Sequence, residues 1–308
     1  MQRAIYISVP PSATDELLAE LESHEHVTAL SVAREASVKP PGDVVTVHAL
    51  DRGSDAVLAA AQRAQRHGPV SVATEELLSI ADPEHHDKLV RDIDEGLWEE
   101  ALTGLGHRGR VTVNFVALIV AGGVIALTGL VTETNQAAVV FVAAAIIAPG
   151  FEPIAKIPLG LVLRRRALLR RGLRSVTIGY LALIAASAIA YLGLRAAGVI
   201  TEDQLVTNSE VRRLADPSVI DVLVSAAGAL TGMIMEVANR RNMIAGPLIA
   251  LALIPATALV GAGVGAGEVG LALEALMRLA LDFALVVCLG AAVVAYKQAR
   301  VHRRAPME

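Results

Sequence analysis

The chain has 308 residues, 54% hydrophobic and 19% charged, with a formal net charge of −4 and a mean hydropathy of +0.54. That composition is too apolar for an ordinary soluble chain, and so small a net charge gives no ground for a nucleic-acid partner. Cys288 is the only cysteine, which excludes an intrachain disulfide and a cysteine-based metal cluster.

The polar residues are unevenly spread. Residues 1–110 hold most of the histidines and acidic residues, and the apolar runs lie almost wholly after Val111. This predicts a cytoplasmic domain over 1–78, an amphipathic linker helix over 79–110 and a transmembrane domain over 111–308. The first residues, MQRAIYISVPPS, lack an apolar signal core and read as a strand, so the front domain is expected in the cytoplasm.

Arg3 to Val9 alternates apolar and polar residues as a strand does, and Pro10-Pro11 ends it. Ser12 or Thr14 can cap a helix that places Leu17, Leu18 and Leu21 on one face. Val27–Arg34 and Asp43–Leu50 read as strands around the turn Lys39-Pro40-Pro41-Gly42. A helix from Ser54 or Asp55 to about His67 and a strand over Val70–Thr74 complete a βαββαβ order, the plan of a small α+β ferredoxin-like domain. His24, His26, His48 and His67 fall on separate elements without ligand spacing. From Ala81 to Gly106, Leu89, Ile93, Leu97 and Leu102 recur on one helical face, and Trp98 suits a membrane interface or a domain contact.

Six apolar runs follow: Val113–Val131, Ala137–Leu163, Val176–Leu194, Val219–Val237, Met243–Gly263 and Leu271–Tyr296. Each approaches or exceeds the roughly 20 residues that span hydrocarbon. Arg108 and Arg110, the six arginines of Arg164–Arg174, Arg240-Arg241, and Lys297 with Arg300, Arg303 and Arg304 all fall on one side of a six-crossing chain. The positive-inside rule makes that side, and both termini, cytoplasmic. GGVIALTG from Gly122 precedes AIIAPGFEP much as GALTGMIM from Gly228 precedes ALIPATALV; Gly122 and Gly228 stand at the same offset, 106 residues, as Pro149 and Pro255. Three spans per copy force the second copy to be inverted, so an α-helical polytopic domain with a 3+3 inverted repeat and proline-broken helices is expected.

The stretch Ala137–Leu163 carries Pro149, Pro153 and Pro158 together with Glu152 and Lys156. Each proline removes a donor, and each charge is costly in hydrocarbon, so the segment is read as the working part of the membrane domain, with its break near mid-membrane. Glu152 and Lys156, four apart, can pair on an intact turn. Thr257 beside Pro255 is placed at the same level by the repeat, and Asp282 is a pathway residue or the partner of Arg278 one turn away. Glu133, Asn135, Glu236 and Asn239 mark the ends of the two hairpins.

GLVTET from Gly129, AAIIAPGFEPI from Ala144 and ALIPATALVGAGV from Ala252 resemble the bacterial membrane family named domain of unknown function 389. DVVTVHALDRGSDAVL from Asp43 is similar to that family's N-terminal portion. The chain departs from the family at Glu152, where a glycine is usual, and at Ala256, where a second proline is usual. The resemblance implies a bacterial inner membrane and supplies no activity. No Ser-His-Asp set, glycine-rich phosphate loop or metal motif appears, so neither an enzyme nor a cofactor is expected. The expected function is a transporter or channel for a small solute or ion, with Pro149, Glu152, Pro153, Lys156, Pro255, Thr257 and Asp282 along its pathway. The alternative is a membrane-anchored sensor or scaffold; a lipid-modifying enzyme using Glu152 or Asp282 ranks last. Expected partners are the lipid bilayer, an unidentified solute or ion and further copies of the chain.

Overall fold

The alternation of Arg3 to Val9 becomes β1 (Gln2–Val9), and β2 (Val27–Val38), β3 (Pro41–Leu50) and β4 (Ser71–Leu77) join it in a sheet of order β2-β3-β1-β4. Every pair is antiparallel, with Ile5 opposite Val47 and Thr74. Helices α1 (Pro11–Glu22) and α2 (Asp51–Ala64) supply the two crossovers, giving the βαββαβ order expected. Ile5, Ile7, Val45 and Val47 form a buried core with Leu17, Leu21, Val57 and Leu58. This computed structural model describes residues 2–77, 82, 85–93, 95–132, 134–238 and 245–307. Glu133, Asn239, Arg240 and Arg241, singled out above, lie outside them, as do Ala81 and Met243 and the side chain of Asn135. The described residues fall into two units, one up to Glu100 with residues 237–238 and the tail from His302, the other from Ala101 to Glu236 and from Ala245 to Val301.

Three local expectations are corrected in the first unit. α1 starts at Pro11 without a side-chain cap, because the Thr14 hydroxyl donates instead to Asp43 Oδ2 at 2.7 Å. β2 runs on to Val38 through a bulge, where Glu35 takes φ +54° and its N–H is held by Asp43 Oδ1 at 2.8 Å. The linker is not one helix: α3 (His86–Val90) and α4 (Trp98–His107) are separated by non-helical residues, and Leu97, Trp98, Ala101 and Leu105 are buried.

Trp98 packs inside its own unit, its ring 5.0 Å from that of His302. His302 Nδ1 lies 2.6 Å from Asp55 Oδ2, and Arg304 donates to Asp55 Oδ1 at 2.6 Å and bidentately to Glu99 at 2.7 and 2.7 Å. The C-terminal arginine read above as a topology signal is thus a half-buried clamp. Burial pushes the Asp55 carboxyl up, and the His302 and Arg304 contacts outweigh it, leaving it below the usual range.

The second unit is helical: α5 (Val113–Val131), α6 (Thr134–Ile147), α7 (Phe151–Val162), α8 (Arg166–Ala196), α9 (Glu202–Thr207), α10 (Ser209–Ala215), α11 (Val219–Val237), α12 (Ala245–Ala266) and α13 (Val269–Arg300). Among the described residues α5, α8, α11 and α13 are each long and apolar enough to cross a membrane, and α6 with α7, bent by 54°, passes the same test as a pair and brings the count to five when the pair is taken as one span. The apolar stretch Ala252–Ala266 of α12 is shorter. α12 runs unbroken through Pro255, so the second, matching helix break is not present. One proline withdraws one donor, and the neighbouring turns of α12 continue the helix around it.

Close approach through small residues holds these helices, as expected where lipid removes the hydrophobic drive. A Cβ on Gly261 of α12 would lie 2.3 Å from the Ile184 carbonyl of α8, and one on Gly123 of α5 would lie 3.1 Å from the Leu183 carbonyl. Ser187 donates across the same interface to the Gly123 carbonyl at 3.0 Å. At the end of the bundle away from the arginine-rich start of α8, α9 and α10 bury Leu205 and Val211 in the bundle core, and Asn208 between them donates to the Leu130 and Thr132 carbonyls at 2.9 and 3.0 Å. These are the orphan carbonyls that the end of α5 leaves.

Two outcomes follow from this packing. Gly261→Ala is expected to lower the thermal stability of the detergent-solubilised protein, whereas Gly193→Ala, which meets nothing within 4 Å, raises it slightly through helix propensity, about 1 kcal/mol at most. Equal melting temperatures for the two variants would contradict the close approach.

In the first unit the Glu35 N–H, Thr14 and Arg34 hold the Asp43 carboxyl below its ordinary value. A depressed carboxylate stabilises the fold above its unfolded pKa, about 4, and that contribution disappears as pH falls through the native value. Asp43→Asn is therefore expected to melt earlier at neutral pH, with the gap to wild type closing in acid. Fluorescence of Trp98, the only tryptophan, reads this unit directly. A gap that persists unchanged in acid would remove the ionised carboxylate from the account.

Candidate functional site

The site begins with what the prolines do to the backbone. Pro149 and Pro153 lack the N–H groups that would meet the carbonyls of Ala145 and Pro149, so α6 stops at Ile147 and α7 starts afresh at Phe151. Pro153 is the third residue of α7, where an N–H has no intrahelical partner, so it starts the helix without disturbing it. Pro158 lies inside α7 and leaves it continuous. The buried Tyr180 hydroxyl of α8 donates to the Gly150 carbonyl at 3.1 Å. A Cβ on Gly150 would stand 2.8 Å from Ile254 Cδ1, so α12 closes over the break. The interruption is covered by protein, the condition for irregular backbone in a membrane.

Contacts along α5 and α8 fix its level. Gly123 meets Leu183 and Ser187, and Gly179 meets Phe115 near the start of α5. Pro153 packs on Gly109, four residues before α5 begins, and the Pro153 carbonyl and Lys156 pack on Gly172, in the arginine-rich start of α8. The break therefore lies toward the arginine-bearing end of the bundle. α6 has 14 residues before the bend and α7 has 12 after it.

Glu152 is half-buried in the first turn of α7, where a carboxylate complements the helix dipole. Lys156 is only 1% exposed, and its Nζ donates to the Gly109 carbonyl at 3.0 Å. The ammonium thus hydrogen-bonds a backbone carbonyl, in place of the ion pair with Glu152 that their spacing allowed. Gly109 takes φ +58°, and a Cβ there would lie 3.0 Å from Pro153 Cδ, so this turn needs glycine to present its carbonyl. Beside it Arg108 forms an ion pair with Glu236 near the end of α11.

Further along the bundle, Asp282 of α13 is buried and paired with Arg278, Nε to Oδ2 at 2.8 Å. Arg278 Nη2 also donates to Ser225 of α11 at 2.8 Å. Gly290 of α13 touches Pro158 and Met233, and Asp282 stands eight residues from it, about 12 Å toward the start of α13. Thr257 is fully buried and donates to Leu253 of its own helix at 2.6 Å, so its hydroxyl is satisfied locally. Pro149, Glu152, Pro153 and Lys156 therefore gather at the break, Asp282 lies further along α13, and Pro255 and Thr257 belong to an intact helix. Sequence reasoning missed Arg108, Gly109, Tyr180 and Ser225. A phenol in an apolar span was a readable signal for Tyr180; a partner 128 residues away was not readable for Arg108.

Four to five apolar spans, a buried ion pair within α13 and an antiparallel α/β unit preceding them in sequence are the features of an integral membrane protein of mixed architecture. The profile of the family described as Domain of unknown function (DUF389) matches residues 145–288, and the chain carries a domain of that family. The match starts just before the break and ends beyond Asp282. No curated protein and no solved structure gives a significant match to the chain.

The Arg108–Glu236 pair can be weighed directly. Arg108 is about half exposed and Glu236 is 8% exposed, so a double-mutant cycle with Arg108→Gln and Glu236→Gln is expected to give a coupling of about 1 kcal/mol, less than a fully buried pair. A coupling near zero would mean that the two side chains are solvated independently.

Proposed function

We propose that this protein is a transporter or channel for a small solute or ion, with its N-terminal unit as a cytoplasmic regulatory domain. The observation that carries this reading is the interrupted α6–α7 span, whose new helix start holds Glu152 beside the Lys156, Arg108 and Glu236 charges. A simple anchor needs neither a second helix start within a span nor ionisable groups inside the bundle, and both recur where membrane proteins bind ions or solutes. The outer end supports the same reading. There the Leu205 and Val211 side chains and the Asn208 bridges make an outer seal, while the polar cluster lies at the arginine-bearing end.

In this proposal the chain crosses six times, with α12 as the fifth crossing, in a 3+3 inverted arrangement that rests on the 106-residue offset. Both termini lie in the cytoplasm of a bacterial cell, as the arginine clusters require. β2, at one edge of the sheet, is the surface through which copies pair into a homo-oligomer.

Flux into proteoliposomes tests the reading. Vesicles containing the protein and an entrapped pH dye or radiolabelled small solutes are expected to show permeation that empty vesicles lack. Glu152→Gln is expected to alter its rate or pH dependence several-fold while expression stays near normal. Vesicles as tight as empty ones across ions and small solutes would overturn the transport reading. An unaltered rate in Glu152→Gln would take that carboxylate out of the pathway.

A further inference from the structure

The buried pair between Arg278 and Asp282 is incomplete. Asp282 is 2% exposed, its Oδ2 accepts from Arg278 Nε at 2.8 Å, and its Oδ1 is buried without a hydrogen-bond partner among the described residues. A purely structural ion pair in a low-dielectric bundle is stable when the remaining lone pairs are also satisfied. An uncompensated carboxylate oxygen there calls for an occupant.

The neighbours narrow what that occupant is. Of the elements packed against α13, α12 carries no ionisable side chain; α7 carries Glu152 and Lys156; and α10 carries Glu210, Arg212 and Arg213 toward the outer end. Lys156 is committed to Gly109, and Arg213 to Asp221 at the start of α11. Glu236 at the other end of α11 is committed to Arg108. The Tyr180 hydroxyl of α8 is committed to Gly150, and Ser225 Oγ to Arg278. Glu274 of α13 and Glu268 just before it line an outer cavity of about 550 Å³, and Lys297 and Arg300 lie at the opposite end of the helix. A metal cation needs several oxygen ligands, and among the described residues no group of three or more His, Cys, Asp or Glu side chains comes together to hold one. A proton needs one oxygen and no cavity.

We infer that Asp282 Oδ1 is a proton-binding site that controls the tether between α13 and α11. On protonation a new O–H bond forms at Oδ1, the carboxyl becomes neutral, and Arg278 loses its counter-charge while Ser225 remains its partner. α11 is the helix suited to respond. Of its apolar window only 17% is buried, against 44% for α5, and Arg278–Ser225 is a polar tie across to it. This deepens the transport reading by naming the coupling ion as a proton, and it rests on that reading only for the word coupling. Proton binding itself is measured without any flux.

Infrared difference spectroscopy of the full-length protein in lipid, titrated from alkaline to acidic pH, tests it. A carboxylic-acid C=O band is expected to grow in as pH falls, to shift in Asp282→Glu and to be absent in Asp282→Asn. If Asp282→Asn does not fold because Arg278 is left buried and unpaired, the Arg278→Gln/Asp282→Asn double variant, which removes both charges together, gives the same readout. Amide exchange in α11, corrected for intrinsic rates, is expected to quicken several-fold at acid pH in wild type and not in the double variant. A set of carboxylic-acid bands unchanged by removing Asp282, or no titrating band over the pH range in which the protein stays folded, would overturn the proposal and leave a static ion pair.

Discussion

An interrupted helix in hydrocarbon must find donors and acceptors for the backbone groups it frees, and much of this membrane unit is arranged around that need at residues 148–150. Pro149 and Pro153 make the interruption unavoidable. Tyr180 reaches across from α8 to the Gly150 carbonyl, Ile254 covers it from α12, and Pro153 seats on the left-handed turn at Gly109. Each of these contacts needs a small residue or a single polar tip at one position. The glycine-lined approaches of α5, α8 and α12 supply the closeness that makes them possible.

Once the break is fixed, the charges around it become tolerable for separate reasons. Lys156 is buried to 1%, yet its ammonium has the Gly109 carbonyl and its stem lies against Gly172. Glu152 has a helix start and is half-buried. Arg108 and Glu236 have each other at the bundle's arginine-bearing end. Arg278 and Asp282 are different, because both are buried and one carboxylate oxygen has no counterpart among the described residues. A cost of a few kcal/mol for a buried charge separates these cases: three are compensated by their surroundings, and the fourth is compensated only in part.

The front unit was largely legible in the sequence because strand alternation and turn chemistry are local signals. Arg3–Val9, Val27–Arg34 and Asp43–Leu50 all became strands in the expected order, with Leu17 and Leu21 facing the sheet. The linker was read as one helix because its apolar spacing holds through residue 102, yet spacing cannot show that Trp98 would be taken up by a ring from residue 302. The bend at Pro149 was legible because two prolines four apart withdraw adjacent donors. The break at Pro255 was over-read, since a lone proline in a packed helix removes one bond and its neighbours continue the ladder. A run of 27 residues, Ala137–Leu163, looks symmetric about its middle, and only the contacts of Pro153 with Gly109 and of Gly172 with Lys156 reveal that its second half turns aside at one end.

The central claim is that residues 134–162 form one bent span whose break is satisfied by Tyr180, Gly109 and α12. An electron cryomicroscopy structure of the full-length protein in lipid nanodiscs tests it most directly. The account predicts a bend of about 54° at residues 148–150, Lys156 directed at the Gly109 carbonyl, and α7 against the arginine-rich start of α8. A straight helix through Pro149, with Glu152 and Lys156 turned toward lipid or toward each other, would contradict it.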